Sequence, residues 1–254
     1  SANATGANAV ALGGGANGGA NKTEATAANT TAIGFNAKAS KSGAAAIGSG
    51  AKASGSDSIS FGTDTVADSE KAIAIGAGSK ATNIGATALG RSSAATAASA
   101  TAVGSLASAT GTTATAVGIE ASASGAESLA IGKTASATSG RALAVGTNAK
   151  ATGASSVAVG SGAGNSGPLG FASSINSLGS VVNSLKTINY ATTAEGDYAV
   201  ALGVYANAKN SGVAVGQNAL AATGGVAIGK GVLEDTGNNL AGGVAIRSEE
   251  RRVG

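Results

Sequence analysis

A short word recurs along this chain: a large or β-branched residue, then Ala, then a large residue, then Gly. The closing glycines are Gly34, Gly48, Gly62, Gly76, Gly90, Gly104, Gly118, Gly132, Gly146 and Gly160, every step fourteen residues. Related words end at Gly13, Gly203, Gly216 and Gly229; the last two steps are thirteen, and the interval from Gly13 to Gly34 is twenty-one. The residue before the glycine is bulky: Ile47, Phe61, Ile75, Leu89, Val103, Val117, Ile131, Val145, Val159. Two residues earlier stands Ala45, Ile59, Ile73, Thr87, Thr101, Thr115, Leu129, Leu143 or Val157. Five residues after the glycine comes Ala, from Ala39 and Ala53 through Ala151, between polar neighbours such as Lys150 and Thr152.

Strict alternation over a few residues is the period of a β-strand. Each repeat therefore predicts two short strands joined by turns rich in Gly, Ser and Asn. Two strands and two turns per fourteen residues make one coil of a β-solenoid. Coils stack about 4.8 Å apart, so ten copies give a rod of roughly 45–50 Å. The first strand is apolar on both faces and the second only on one. One apolar face fills the coil; the other must be covered, because a monomer rarely exposes a continuous apolar stripe. Side-by-side association in register covers it. Either the Ala face or the bulky face could meet a partner, and the bulky face is favoured. The candidate wall residues are Ile47, Ile59, Phe61, Ile73, Ile75, Leu89, Val103, Val117, Leu129, Ile131, Leu143, Val145, Val157 and Val159.

Composition narrows the function classes. Gly makes up 42 of 254 residues, aromatics are 2 %, and His, Cys, Met and Trp are absent. Without Cys there are no disulfides or thiolate metal sites, and without His the commonest general base is missing. The net charge of +3 comes with no basic block, so no nucleic-acid footprint is read. No apolar run approaches the roughly 20 residues that span a bilayer. Asp64, Asp68 and Glu70 lie close in sequence, as do Glu234 and Asp235, but their spacing matches no calcium loop. Gly pairs are not followed by the Lys-Ser/Thr of a phosphate loop. No catalytic, cofactor or metal residues are assigned, and an enzyme is not expected. Lys38, Lys52, Lys80 and Lys150 share one column and are read as a solvated row, with acidic polymers as a second possibility. A flat Thr array for ice is not apparent, because the outer columns mix Lys, Ser, Asn, Asp, Thr and Gly.

The words "SSVAVGSGA" (Ser155–Ala163), "ESLAIGKTA" (Glu127–Ala135) and "KAIAIGAGS" (Lys71–Ser79) resemble the head motif of YadA-like trimeric autotransporter adhesins of Gram-negative surfaces. The resemblance covers Ala7–Gly160 and Tyr198–Ile246. It implies an all-β, left-handed parallel β-roll, a homotrimer, and an extracellular head that binds host extracellular matrix or cell surfaces. The family's neck word, long stalk and membrane barrel are not seen, so anchoring in the outer membrane is implied by kinship alone. A non-binding structural spacer is the alternative function.

Four segments follow. Residues 1–160 and 198–246 carry the roll repeats. Residues 161–197 break them: after Pro168, Ile175, Leu178, Val182 and Leu185 fall at 3-4-3 spacing beside Val181 and Ile188, which predicts a short helix. That insertion is read either as a structural interruption or as a binding protrusion. Tyr198 and Tyr205 are the main aromatic candidates for a contact. Residues 247–254, RSEERRVG, match the translation of a sequencing-adapter string and are read as an artefactual tail. Ser1 carries no initiator Met or signal-peptide pattern, so the chain is expected to be an internal part of a longer protein.

Overall fold

The computed structural model describes residues 2–14, 22–161, 192–234 and 243–246. Alternate strands enter two fifteen-stranded parallel sheets. One is built of triplets such as Ile59–Phe61 and Leu129–Ile131, the other mostly of doublets such as Lys52–Ala53 and Ser136–Ala137. Neighbouring strands pair in register, Ile73 with Ile59 and Thr87, Ala81 with Ala67 and Ala95. The architecture is the expected β-solenoid. Among the described residues there is no helix; the helix expected around Ile175–Ile188 lies outside them.

The interior explains the composition. Each coil sends four side chains inward, as Ala107, Ala109, Ala114 and Ala116 show, all fully buried. The Ala column five residues after the glycine is inside, as read from the sequence, and so is the middle residue of every triplet from Thr31–Ile33 to Val226–Ile228, Ala in all but Ser60. Two further inward columns precede the strands, with Ala44, Ser58, Ala72 in one and Ala51, Thr65, Ser79 in the other. These columns recur every seven residues along the chain, so one coil is two similar half-coils back to back. Where the interior carries hydroxyls they pair locally: Ser58 Oγ donates to the Gly55 carbonyl at 2.7 Å, and Ser60 and Thr65 share a 2.7 Å bond. Buried polar groups need such partners.

The turns follow the same half-coil rhythm. At each tip one residue adopts the left-handed conformation, for example Ser99, Leu106, Thr113 and Glu120 at φ between 54° and 59°. That conformation is uncommon for non-glycine residues. Backbone bonding between successive coils of the chain accompanies it: the N–H of Asp57 donates to the Ser42 carbonyl at 2.9 Å, and that of Asp64 to the Ser49 carbonyl at 2.8 Å. The glycine closing each word has a stricter role. Gly104 sits at φ 130°, and a Cβ there would lie 2.5 Å from the Gly118 carbonyl oxygen of the next coil. Only glycine lets the coils stack this closely.

Insertions and deletions leave the stack in register. Ala2 pairs with Thr23 across the long first interval, and Lys150 pairs with Thr193 across the insertion. The roll therefore resumes at Thr193, inside the segment 161–197, before the boundary set at residue 198. Both re-entries use a buried Thr in the same inward column: Thr23 Oγ1 donates to the Gly34 carbonyl at 2.6 Å and Thr192 Oγ1 to Gly203 at 2.7 Å. The thirteen-residue steps lose one residue from the turn before the triplet, as residues 209–212 show beside residues 54–58. The inward position of the shortened turn is Gly212, where a Cβ would come within 2.6 Å of the Ala222 carbonyl oxygen.

Adjacent alanines test the inward/outward assignment. Ala95 is fully buried, whereas Ala94 is half-buried on the outside of the doublet sheet. Ala95→Leu is expected to overpack the roll and cost about 1–3 kcal/mol or more. Ala94→Leu is expected to stay within about 0.5 kcal/mol of the parent. Thermal unfolding followed by circular dichroism distinguishes the two.

Candidate functional site

With the interior filled by Ala, Ser and Thr, the bulky residues of the triplets go outside; Val232, just before a doublet, is the one buried Val among the described residues. None of Ile47, Ile59, Phe61, Ile73, Ile75, Leu89, Val103, Val117, Leu129, Ile131, Leu143, Val145, Val157 and Val159 belongs to the buried core. They form two parallel columns on the outer face of the triplet sheet. Phe61 is 52 % exposed and Ile131 39 %, and the columns run on through Val200, Leu202, Val213, Val215, Val226 and Ile228. Thr87, Thr101 and Thr115 occupy three successive positions of one column and interrupt it with hydroxyls. The result is one continuous apolar stripe along the rod, the kind of surface that marks an interaction site.

The opposite face, outside the doublet sheet, is polar. Thr82, Thr96, Thr110, Ser124, Thr138 and Thr152 follow one another in register, each N–H bonding to the next coil. This hydroxyl column is more regular than the mixed composition suggested, because residues of other columns interleave with it in sequence. The neighbouring column reads Lys80, Ala94, Ser108, Ser122, Ser136, Lys150. The expected lysine row is thus real as a column, but Val66 interrupts it between Lys52 and Lys80. Two of its lysines also have acidic partners: Lys38 lies 3.8 Å from Glu24 and Lys52 2.8 Å from Asp68. That pairing weakens the acidic-polymer reading.

The acidic residues do not converge. Asp68 pairs with Lys52 and accepts a 2.5 Å bond from Ser54 Oγ, whereas Glu70 pairs with Lys71 at 3.1 Å. The Asp64 carboxylate instead lies over Gly50 of the preceding coil. Among the described residues no group of three or more His, Cys, Asp or Glu side chains could hold a metal ion. The side chains of Glu234 and Asp235 lie outside the described residues. Tyr198 is 69 % exposed on one turn edge, and Tyr205 stands on the other edge of the same coil.

The family described as YadA head domain repeat (2 copies) matches residues 1–16, 25–51, 53–79, 81–107, 109–135, 137–163, 190–206 and 194–219. The chain belongs to this YadA head family. Each of the longer matches spans two coils of the roll, and together they span well over half of the chain. Among curated proteins, none matches the chain. The YadA head reading accounts for both signals read from the sequence, the bulky–Ala–bulky–Gly words and their fourteen-residue step. What the words did not reveal were the two inward columns before the strands and the left-handed tips. The signal for the inward columns is the seven-residue spacing of Ala, which the louder fourteen-residue glycine spacing hides.

Asp68 supplies a pH prediction. Partial burial works against its ionisation, but hydrogen bonds from Lys52 and Ser54 and the Lys52 charge outweigh that and hold its carboxyl below the ordinary aspartate range. A depressed carboxylate stabilises the fold above its unfolded value, and this contribution is lost as pH falls through the folded value. The parent should therefore lose more thermal stability than Asp68→Asn as pH is lowered from 5 through the acid range. Melting temperatures of the two proteins across that range check it; parallel profiles would contradict it.

Proposed function

We propose that the chain is the head of a trimeric surface adhesin, in which the triplet faces of three copies cover one another and the doublet faces look outward. The observation that carries this reading is the continuous outer stripe of Ile, Leu, Val and Phe on a coil whose interior is already filled by Ala. Complete burial of one such side chain is worth about 1.5–3 kcal/mol. Many are already half-buried, so each contributes a fraction of that, repeated coil after coil. Membership of the YadA head family favours three copies and a cell-surface location over other arrangements.

In this arrangement the surface offered to a ligand is the hydroxyl column with its flanking lysines, together with the turn tips. It is long, shallow and repetitive, and suits an extended target: a host extracellular matrix protein or a cell surface. Its contacts are individually weak and gain strength from repetition along the rod and across three copies. Chemistry on a bound small molecule is no part of this reading, and neither a cofactor nor nucleic acid is.

Solid-phase binding to immobilised collagen, fibronectin and laminin tests the adhesin reading. Saturable binding to at least one is expected. Ile131→Asp, which places a charge in the apolar stripe, is expected to separate the copies and lower that binding at least about 10-fold through lost avidity. A folded parent that binds none of these ligands and no host cell surface would instead support the spacer role.

A further inference from the structure

We propose that the trimer is closed along seams in which the two turn edges of neighbouring chains meet at the same level, bringing Tyr198 of one chain against Tyr205 of the next and Glu127 against Lys133. This rests on the trimer reading above and goes beyond it by naming the residues in contact. The argument is one of symmetry. Three rods with their triplet faces turned inward are related by rotation about an axis parallel to the rods. A closed cyclic arrangement involves no translation along that axis. Each coil therefore meets the same coil of its neighbours. Cyclic contacts are also head-to-tail, so the edge before the triplet in one chain faces the edge after the triplet in the next.

The chemistry at the two edges of single coils fits that pairing. Around Leu129–Ile131, Glu127 stands at one edge and Lys133 at the other, both exposed. Among the described residues neither belongs to an ion pair; the pairs there involve Lys38, Lys52 and Lys71 with Glu24, Asp68 and Glu70. Around Val200–Leu202, Tyr198 and Tyr205 occupy the same left-handed position on the two tips, at φ 58° and 59°. Beside them Leu202 and Val204 are each 36 % exposed, so this coil offers apolar surface on its face and at both edges. A bulky residue held in the left-handed region is a strained arrangement. An aromatic contact between chains, favourable beyond the area it buries, would offset that strain.

One coil looks at first like an exception. Around Ile59–Phe61, Asp57 and Asp64 stand at opposite edges, which would set like charges across the seam. Both carboxylates instead fold back along the rod. Each occupies the space that a Cβ would need at Gly43 or Gly50 of the preceding coil. The glycines at those two tips thus draw the acids out of the seam and along the column.

The chain has no Cys, so introduced cysteines report their contacts without background. Within one chain positions 198 and 205 are separated by the extended triplet Val200–Leu202, about 10 Å of strand. That exceeds the 4.4–6.8 Å that a disulfide spans between Cα atoms in general. The test is oxidation of the full chain carrying Tyr198→Cys and Tyr205→Cys, read on a non-reducing denaturing gel beside each single variant. The double variant should give covalent dimers and trimers as the major bands, and each single variant only monomer. Glu127→Cys with Lys133→Cys repeats the test at a second coil, which serves if the tyrosine variants do not fold. A double variant that sediments as a trimer yet forms no cross-link overturns the seam while leaving the trimer standing. Cross-linking by either single variant also overturns it, because like edges would then be meeting. A folded chain that sediments as a monomer overturns the trimer reading and the seam together.

Discussion

The interior of each coil is filled by four small side chains, two from each facing half-coil, and the other features of the molecule follow from that narrow width. Two sheets this close together hold Ala, Ser and Thr, with Val232 near one end, and among the described residues no Ile, Leu or Phe is buried between them. The bulky residues that β-strands favour must therefore stand on the outside. The chain places most of them on one sheet, in two columns beside the small buried residue of each triplet, with Val66 and Leu220 as exceptions on the doublet sheet. A solenoid of this kind gains cohesion from backbone bonds between coils and from close packing of small groups, and much less from bulky core residues. The glycines that close each word serve the same constraint, since any side chain there would strike the carbonyl of the coil above.

A second consequence is that the fold of one chain is energetically unfinished. Half-buried Ile, Leu and Val along the triplet sheet have covered one side of their surface and not the other. A thicker solenoid would have hidden them within its own coil. In the proposed trimer they are covered by copies of the same chain, and folding and assembly become parts of one process. In that arrangement the polar doublet face is what remains for solvent and for the proposed ligands. Its hydroxyls and lysines are fixed at the spacing of the strands, so recognition there is set by a repeat distance more than by any single residue.

Much of this was legible in the sequence because the fold is periodic. The glycine step fixed the length of the coil, and the alternation around Lys150, Ala151 and Thr152 correctly put the Ala inward and its neighbours outward. The direction of Val157 and Val159 was harder. A triplet that is apolar on both faces gives no polar residue to mark the outside, and only the width of the interior decides it. The resumption of the roll at Thr193 was hidden for a related reason: the doublet strands carry so little signal that Thr193–Ala194 reads as linker until its partners, Lys150–Ala151 and Asn207–Ala208, are seen. The left-handed tips escaped notice because their occupants, from Asn36 to Leu106 to Tyr205, share a backbone conformation and no side-chain chemistry. The regular Thr column was missed because it became visible only once coils were stacked.

The central claim is that the outer apolar stripe is an interface between copies of this chain. Sedimentation equilibrium at micromolar concentration addresses it without any mutation or ligand. The account predicts a single species of three times the chain mass of 23.2 kDa that persists on dilution. A folded, stable monomer, with the stripe of Ile, Leu and Val open to water, would contradict it.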